Sequence, residues 1–278
     1  MGICNKIAGV LAPIILGAIV LSDADALTAR LVTMQNIEKA ALLDSLASRV
    51  IAPYAIMAGI LIILGIAVIF SPLPEVEMEE EESDKTGQNE KTSIIQYPNL
   101  VLGVIALFLY VGVEVIAGDT IGIYGQSQGI PLSATKYFTA LTLSAMIVGY
   151  IFGILTVPKF ISQAKILSLS AVSGILFTVC AVITHGYVSV MFIALLGLSN
   201  ALMWPAIWPL AIHGLGRFTK TGSALLIMAI AGGALLPLVY GKLSDVSFIG
   251  HQSAYWILLP CYLFILFYSG KGHTIKRW

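Results

Sequence analysis

The chain has 278 residues, of which 58% are hydrophobic and 11% are charged, and its mean hydropathy is +0.93. Fifteen Lys and Arg residues balance fifteen Asp and Glu residues, so the formal net charge is zero. The lack of a basic surplus excludes a nucleic-acid partner, and the apolar content excludes a disordered chain and argues against a soluble enzyme. We therefore predict an all-α polytopic membrane protein that lies in a lipid bilayer. Because its three cysteines are far apart in the sequence, we also predict that it holds no metal or other cofactor.

Eight apolar stretches are long enough to cross a bilayer core, which is ~30 Å thick and requires about 20 residues per helix. A closed β-barrel is the alternative, but runs such as Ala58–Phe70 do not alternate between polar and apolar residues. In chain order the predicted spans are Ile7–Ser22, Val50–Phe70, Leu100–Ile123, Tyr137–Val157, Ile166–Thr184, Tyr187–Ile212, Ser223–Leu243 and Ala254–Ser269.

The first predicted span contains Gly9, Pro13 and Gly17 at intervals of four residues. Small residues at this spacing allow close packing of helices, and a proline loosens the helix locally. The alternative is a cleavable signal peptide, because a lysine, an apolar run and an Ala-Asp-Ala sequence follow one another. We expect Lys6 to be an interfacial charge that reaches the membrane surface.

Two long connections flank the second span. Residues 23–49 carry Leu and Ala at helical spacing, which predicts an amphipathic helix outside the membrane. Residues 72–98 contain eight acidic residues and two lysines, which gives a net charge of −6. Such a segment repels itself, so we predict an acidic cytoplasmic linker that is a flexible spacer; a binding segment for a partner is the alternative.

The third span holds two charged residues inside the membrane, Glu114 and Asp119. A charge at mid-membrane costs ~2.5–3.5 kcal/mol or more, so it usually has a function or a partner. Gly118 and Gly122 follow Glu114 at steps of four, so this face can lie close to another helix. Glu114 is predicted to face the interior and to bind substrate hydroxyls, a proton or both, or else to bond a neighbouring helix. Asp119 is a weaker proton candidate, because it lies nearer the outer end.

The sixth span places Asn200, Trp204 and Trp208 at steps of four, with two prolines between them. An amide beside an aromatic wall suits a sugar, whose C–H face packs on an indole while its hydroxyls bond the amide. The alternative for the tryptophans is the interfacial aromatic belt of membrane proteins, which fits Trp208 better than Trp204. We predict that all three residues bind substrate.

The seventh span repeats the pattern of the first, with Gly233, Pro237 and Gly241, and both patterns are followed by Ser-Asp. The two spans are six apart in order, which indicates a six-helix repeat, and two such halves form the major facilitator fold. We predict that residues 1–71 are the last two helices of an amino-terminal half and that residues 99–278 are a six-helix carboxyl-terminal half. By this count, eight of twelve helices are present, and the chain corresponds to the rear two-thirds of a transporter. With both termini in the cytoplasm, the inner side carries ten Lys and Arg residues and the outer side five.

Several stretches resemble the fucose–proton symporter family of the major facilitator superfamily, especially its glucose/galactose transporter branch. The resemblance implies proton-coupled uptake of a hexose across a bacterial inner membrane, with Asn5, Glu114, Asn200 and Trp204 lining a central cavity. The family's principal proton-coupling carboxylates lie in helices that this chain does not contain, so transport by this chain alone is open. The matching stretches are Asn5 to Pro13, Phe70 to Pro74, Tyr110 to Val115, Pro158 to Gln163, Asn200 to Ala211, Gly214 to Gly216 and Thr221 to Ser223.

The predicted mechanism is alternating access, in which two bundles rock about a site that binds sugar and proton. The main alternative is a transport-inactive membrane fragment or scaffold, which the missing helices favour and which would assemble with an amino-terminal half. A membrane-embedded enzyme would need clustered nucleophiles and bases, whereas the four histidines lie at separate loop ends. We therefore predict that the chain is not an enzyme.

Overall fold

A computed structural model describes residues 2–20, 26, 29, 36–71, 93–157 and 159–275 of the chain. Every regular element in these ranges is a helix, which is how a chain in lipid satisfies its own backbone hydrogen bonds. The α-helices of these ranges are α1 (Gly2–Val20), α2 (Asn36–Ile69), α3 (Pro98–Asp119), α4 (Ile121–Ser127), α5 (Leu132–Thr135), α6 (Phe138–Thr156), α7 (Gln163–Ile183), α8 (Gly186–Asn200), α9 (Met203–Ile212), α10 (Thr219–Met228), α11 (Gly232–Ser244), α12 (Gly250–Ala254) and α13 (Leu258–Gly270).

Seven segments of the described chain are long and apolar enough to cross a membrane, and α1 adds a shorter apolar helix. Each of the eight predicted spans coincides with one of these segments, so the prediction of a polytopic all-α membrane protein is confirmed. The seven segments are Leu42–Ile69, Pro98–Asp119, Leu132–Thr156, Gln163–Ile183, Gly186–Ile212, Gly216–Ser244 and Gly250–Gly270.

The sixth predicted span is one membrane segment, but its helix breaks in the middle. Ala201 and Leu202 separate α8 from α9. Pro205 has no amide hydrogen to donate to the carbonyl of Ala201, so the helical hydrogen-bond ladder is interrupted at this point. Pro209, inside α9, leaves the carbonyl of Pro205 without its usual donor in the same way. The break lies between Asn200 and Trp204, two of the residues predicted to bind substrate.

Glycines set how closely the helices pack around α3 and α6. A Cβ atom added to Gly197 of α8 would lie 2.1 Å from the carbonyl oxygen of Thr142 in α6. A Cβ atom added to Gly232 of α11 would lie 1.9 Å from the carbonyl oxygen of Phe108 in α3. Both distances are far inside van der Waals contact with backbone that cannot give way, so only glycine permits these approaches.

Replacing Gly197 by Ala should therefore destabilise the protein by about 1–3 kcal/mol, because the new methyl group forces α6 and α8 apart. Gly241→Ala is the matched control, since its Cβ would meet nothing within 4 Å. The measurement is the thermal unfolding midpoint of the purified protein in detergent. Equal midpoints for the two variants would refute this packing.

The second span is longer than predicted. α2 runs from Asn36 to Ile69 as a single helix, so the described part of the predicted outer amphipathic helix continues directly into the membrane segment. Its large apolar side chains are exposed, as for Ile51 at 68% and Ile69 at 78%, which fits a helix that faces lipid. Of the predicted linker, residues 72–92 lie outside the described residues, and Ile94–Gln96 form a 3₁₀ turn that leads into α3. The predicted division into two halves stays a prediction.

α1 lies against α6. A Cβ atom on Gly9 would be 2.9 Å from the Leu143 side chain, and the Lys136 ammonium donates to the carbonyl oxygen of Gly17 at 3.4 Å. Lys136 thus places a positive charge at the carboxyl-terminal end of α1, where the helix dipole favours it. In the related pattern of α11, a Cβ on Gly233 would be 2.9 Å from Val111 of α3. The first glycine of each pattern is thus a close-packing position, and the six-helix repeat itself stays a prediction.

Candidate functional site

Glu114, the acidic residue predicted to face the interior, lies among polar partners. Its side chain is 18% exposed, and its two carboxylate oxygens accept hydrogen bonds from the Lys6 ammonium of α1 and the Tyr110 hydroxyl of α3. The side chain of Lys6 is 14% exposed. Glu114 is therefore shielded from lipid, and its charge is paired across two helices.

Helix geometry explains this arrangement. Tyr110 and Glu114 are four residues apart in α3, so their side chains lie one above the other on the same face. Lys6 belongs to α1 and is 108 residues away from Glu114 in the sequence. An isolated charge of either sign is expensive in a membrane, whereas a hydrogen-bonded pair of opposite charges is neutral as a unit. The pair therefore stabilises both charges where each alone would be costly.

Three further polar side chains lie near this carboxylate without a hydrogen bond to it among the described residues. Tyr150 of α6 and Tyr262 of α13 lie close enough to interact with Glu114 electrostatically, and so does Asp119 at the end of α3. Lys6 and Tyr110 contact the carboxylate directly, whereas Tyr150, Tyr262 and Asp119 interact with it only electrostatically. Several hydroxyls near one acid form a polar centre that can hold or exchange a proton.

An aromatic groove borders this polar centre. The rings of Trp204 and Trp208 stack with their centroids 5.8 Å apart at an angle of 21°. Tyr110, which donates to Glu114, also meets the ring of Trp204 edge-on at 6.3 Å between centroids. The two tryptophans line a cavity of about 380 Å³ together with Pro205, Pro209 and Ile227. This volume is within the usual range of small-ligand pockets, roughly 300–1,000 Å³.

Asn200 lies at the carboxyl-terminal end of α8. It is 1% exposed, and its side-chain carbonyl oxygen accepts a hydrogen bond from the Tyr262 hydroxyl of α13 at 2.9 Å. Ala201 and Leu202 separate Asn200 of α8 from Trp204 of α9, and the placement of Asn200 beside the tryptophans stays a prediction. Its amide nitrogen has no hydrogen-bond partner among the described residues. That nitrogen is a buried donor available to a ligand or water.

The two remaining predicted residues lie at the edges of this site. Asn5 is exposed on α1, next to Lys6 in sequence. Asp119 is exposed at the carboxyl-terminal end of α3, as its predicted position near the outer end of the helix requires. In the part of the chain that the structure describes, Asp119 forms no ion pair. Tyr110 therefore contacts both Glu114 and Trp204, whereas Asp119 lies about one helical turn beyond Glu114 in α3.

Sequence reasoning missed three residues of this centre: Lys6, Tyr110 and Tyr262. Lys6 was expected to reach the membrane surface, but it turns inward to the carboxylate. The signal for Tyr110 was present in the spacing of four residues between a hydroxyl donor and Glu114. The contact of Lys6 could have been suspected from charge balance, because one buried anion in an apolar chain requires a cation from another helix.

The chain is similar in sequence to several sugar transporters. It is 33% identical over 223 residues to a glucose/galactose transporter of Brucella abortus, a match that covers 79% of this chain and 53% of the relative. It is 28% identical over 242 residues to a putative glucose/galactose transporter of Helicobacter pylori and 25% identical over 251 residues to an L-fucose-proton symporter of Haemophilus influenzae. The latter two matches cover 85% and 88% of this chain and 58% of each relative. The chain thus spans about half the length of the curated relatives that it matches.

The fold is that of a solved transporter. A crystal structure of FucP, a major facilitator superfamily transporter, in the outward conformation matches with a TM-score of 0.64 and 22% identity, over 87% of this chain and 59% of that one. A crystal structure of the E. coli fucose:proton symporter FucP matches with the same TM-score over 96% of this chain and 68% of that one, at 21% identity. No protein-family model matches. The chain therefore has the fold of FucP and is similar in sequence to glucose/galactose transporters and L-fucose-proton symporters.

Proposed function

We propose that the chain takes part in secondary active transport of a hexose together with protons, by alternating access. The observation that carries this proposal is the position of one carboxyl group, Glu114, inside a membrane helix and beside an aromatic groove. Tyr110 links the two parts of the site, because it donates to Glu114 and meets the ring of Trp204, which lines a cavity of about 380 Å³. The names of the relatives, glucose/galactose transporter and L-fucose-proton symporter, support the same pair of substrates.

The proton part of the proposal rests on Glu114. A carboxylate that picks up a proton loses its charge, which removes a barrier to moving the site through the membrane. The hydroxyl of Tyr110 can remain hydrogen-bonded to either form, because it can donate to the carboxylate or accept from the acid. Asp119 is the second proton candidate, since it interacts electrostatically with Glu114 and is exposed.

The sugar part rests on the groove. Trp204 and Trp208 provide flat apolar surfaces on which the C–H face of a pyranose can pack. Glu114 and Asn200 provide polar groups for the hydroxyls: the former by its carboxylate, the latter by the buried amide nitrogen that has no partner among the described residues. Asn5 lies on the exposed side of α1, from which it can contact a ligand that enters near Lys6.

The wider setting is also part of the proposal. The protein is a multi-pass membrane protein, and we place it in a bacterial inner membrane with both termini in the cytoplasm. In the proposed two-bundle carrier, α1 and α2 belong to one bundle, and α3 to α13 belong to the other. The pair Lys6–Glu114 then connects the two bundles, which is where rocking motion would change contacts.

A transport assay on the chain itself tests this function. Purified protein in proteoliposomes is given radiolabelled glucose or galactose with an inward proton gradient. We expect sugar to accumulate above the external concentration and the accumulation to collapse when a protonophore is added. Uptake that does not depend on the proton gradient would contradict proton coupling. Absence of both sugar uptake and sugar binding would contradict the assignment of the site.

A transport-inactive fragment or scaffold is the second candidate. It is favoured by the share of the relatives that the chain covers, 53% of the first and 58% of the next two cited. This candidate predicts that the purified chain binds sugar or a second membrane segment but does not accumulate sugar. Restored accumulation on co-expression with the front half of a relative would then identify the chain as one part of an assembled carrier.

A further inference from the structure

Lys6 occupies a position that the proposed transport function does not itself require. Its ammonium lies on the Glu114 carboxylate, on the same acid that receives the hydroxyl of Tyr110. Both charged side chains are mostly buried, at 14% and 18% exposed. A lysine in a transmembrane helix that serves only as an interfacial charge extends to the surface, whereas this one pairs inside.

We propose that Lys6 is the residue that couples sugar binding to protonation: its ammonium bonds the Glu114 carboxylate in the empty carrier and a sugar oxygen in the loaded, protonated carrier. This inference rests on the proposed function and names the group that links its two substrates. The substrate class it implies is a polyhydroxylated ring, whose oxygens accept hydrogen bonds from an ammonium.

The exchange follows from charge balance. When a proton binds Glu114, an O–H bond forms and the carboxylate loses its charge, while the ammonium of Lys6 keeps its three hydrogens and its charge. The pair was neutral, so protonation alone leaves an unpaired cation among apolar helices, which is unfavourable. The neutral acid is a weaker hydrogen-bond acceptor for the Lys6 ammonium than the carboxylate was, and a hydroxyl oxygen of the sugar can accept a hydrogen bond from this ammonium in its place. Sugar therefore stabilises the protonated state, and by linkage a proton strengthens sugar binding.

Tyr110 links the ion pair to the aromatic groove. Tyr110 contacts both Glu114 and Trp204, so one residue separates the ion pair from the aromatic groove. The inference places the sugar ring on Trp204, with a hydroxyl oxygen directed toward the ion pair. The polar side chain of Asn5 neighbours Lys6 on the same helix.

Other groups near Glu114 do not account for the same coupling. The described groups that interact with it are Tyr110 and Asp119 on its own helix, Lys6 on α1, Tyr150 on α6 and Tyr262 on α13. Phenol hydroxyls titrate near pH ~10, far above the range of transport, so they keep their protons throughout. Asp119 is the other acid in this set, and its contribution is separated by an Asp119→Asn control.

The experiment measures the dissociation constant of radiolabelled galactose and glucose for the purified chain between about pH 5 and pH 8. For the unmodified chain we expect the dissociation constant to rise by on the order of tenfold from the acidic to the alkaline end, within the ~5- to 150-fold range of coupled sites. Lys6→Met should remove most of this pH dependence, whereas Lys6→Arg should keep it. Lys136→Met is the matched control and should behave as the unmodified chain, because Lys136, which lies between α5 and α6, also contacts α1 but does so through the Gly17 carbonyl.

A second comparison keeps the inference testable if Lys6→Met fails to fold. Glu114→Gln imitates the protonated acid, so the Lys6 ammonium is free to donate to the sugar. Combining Lys6→Met with Glu114→Gln removes this ammonium donor and leaves neither charge of the pair. We expect the double variant to bind sugar about fivefold to tenfold more weakly than Glu114→Gln alone, at every pH. Equal affinity of these two variants would overturn the role of Lys6.

The outcomes separate this inference from the proposed function. Absence of any sugar binding by the unmodified chain contradicts the proposed function. Sugar binding that depends on pH and keeps that dependence in Lys6→Met leaves the function intact and overturns the coupling role of Lys6. Sugar binding that is independent of pH in the unmodified chain overturns the coupling role as well, and loss of the dependence in Asp119→Asn but not in Lys6→Met reassigns it to Asp119.

Discussion

Replacing Glu114 by Gln should abolish proton-driven accumulation of sugar while leaving sugar exchange across the membrane. Glutamine has nearly the same shape and remains neutral, so the site resembles the protonated carrier and can still bind sugar and reorient. It cannot release a proton, however, so the proton gradient can no longer drive the cycle in one direction. The measurement is the ratio of internal to external radiolabelled sugar in proteoliposomes, which we expect to fall to about one, beside a counterflow assay, which should retain activity.

Two variants control this experiment. Glu114→Asp retains a carboxyl group and should keep part of the accumulation, whereas Asp119→Asn removes the second acid and should leave most of it. Undiminished accumulation in Glu114→Gln would show that the carboxyl group of Glu114 is a structural partner of Lys6 and Tyr110. Complete loss in Asp119→Asn with no loss in Glu114→Gln would move the proton site to the end of α3.

Replacing Trp204 by Ala should weaken sugar affinity more than replacing Trp208 by Ala. Trp204 lies closer to the polar centre than Trp208 does, since Tyr110, which donates to Glu114, meets the Trp204 ring at 6.3 Å between centroids. Loss of the stacking surface is expected to cost ~1.5 kcal/mol beyond the small residual packing of alanine, which corresponds to about a tenfold larger dissociation constant. Equilibrium binding of radiolabelled galactose measures the effect.

A conservative pair of variants tests the interpretation of stacking. Trp204→Phe retains an aromatic face and should recover much of the lost affinity, while Trp208→Phe should bind almost as the unmodified chain does. Equal losses from Trp204→Ala and Trp208→Ala would indicate that the two stacked rings act as one wall and would contradict the assignment of Trp204 as the principal surface.

The membrane spans could be predicted from the sequence because lipid imposes one strong constraint on the backbone. About 20 apolar residues in a row have few other structures available, so the eight predicted spans all coincide with helices. The ends differ by a few residues, and α2 extends to Asn36, well before the predicted start at Val50. Helix ends depend on local contacts with neighbouring chain segments, which composition does not contain.

The site could be predicted only in part. Glu114 was recognisable because a charge in a membrane helix is rare, and Trp204 and Trp208 because of their spacing. Lys6 and Glu114 are 108 residues apart, and nothing in either local sequence records that their helices meet. The placement of Asn200 beside the tryptophans stays a prediction, because the spacing of four assumes an unbroken helix and α8 ends at Asn200.

The central claim is that Glu114 carries a proton while a sugar occupies the neighbouring groove. Measuring whether protons move together with sugar tests this claim most directly. Sugar is added to weakly buffered, de-energised proteoliposomes that contain the purified chain, and the external pH is recorded. We predict that glucose or galactose makes the external medium more alkaline, because protons enter with the sugar, and that the Glu114→Gln variant gives no such change. A signal of equal size in Glu114→Gln, or sugar entry through the unmodified chain without any change of pH, would contradict the account.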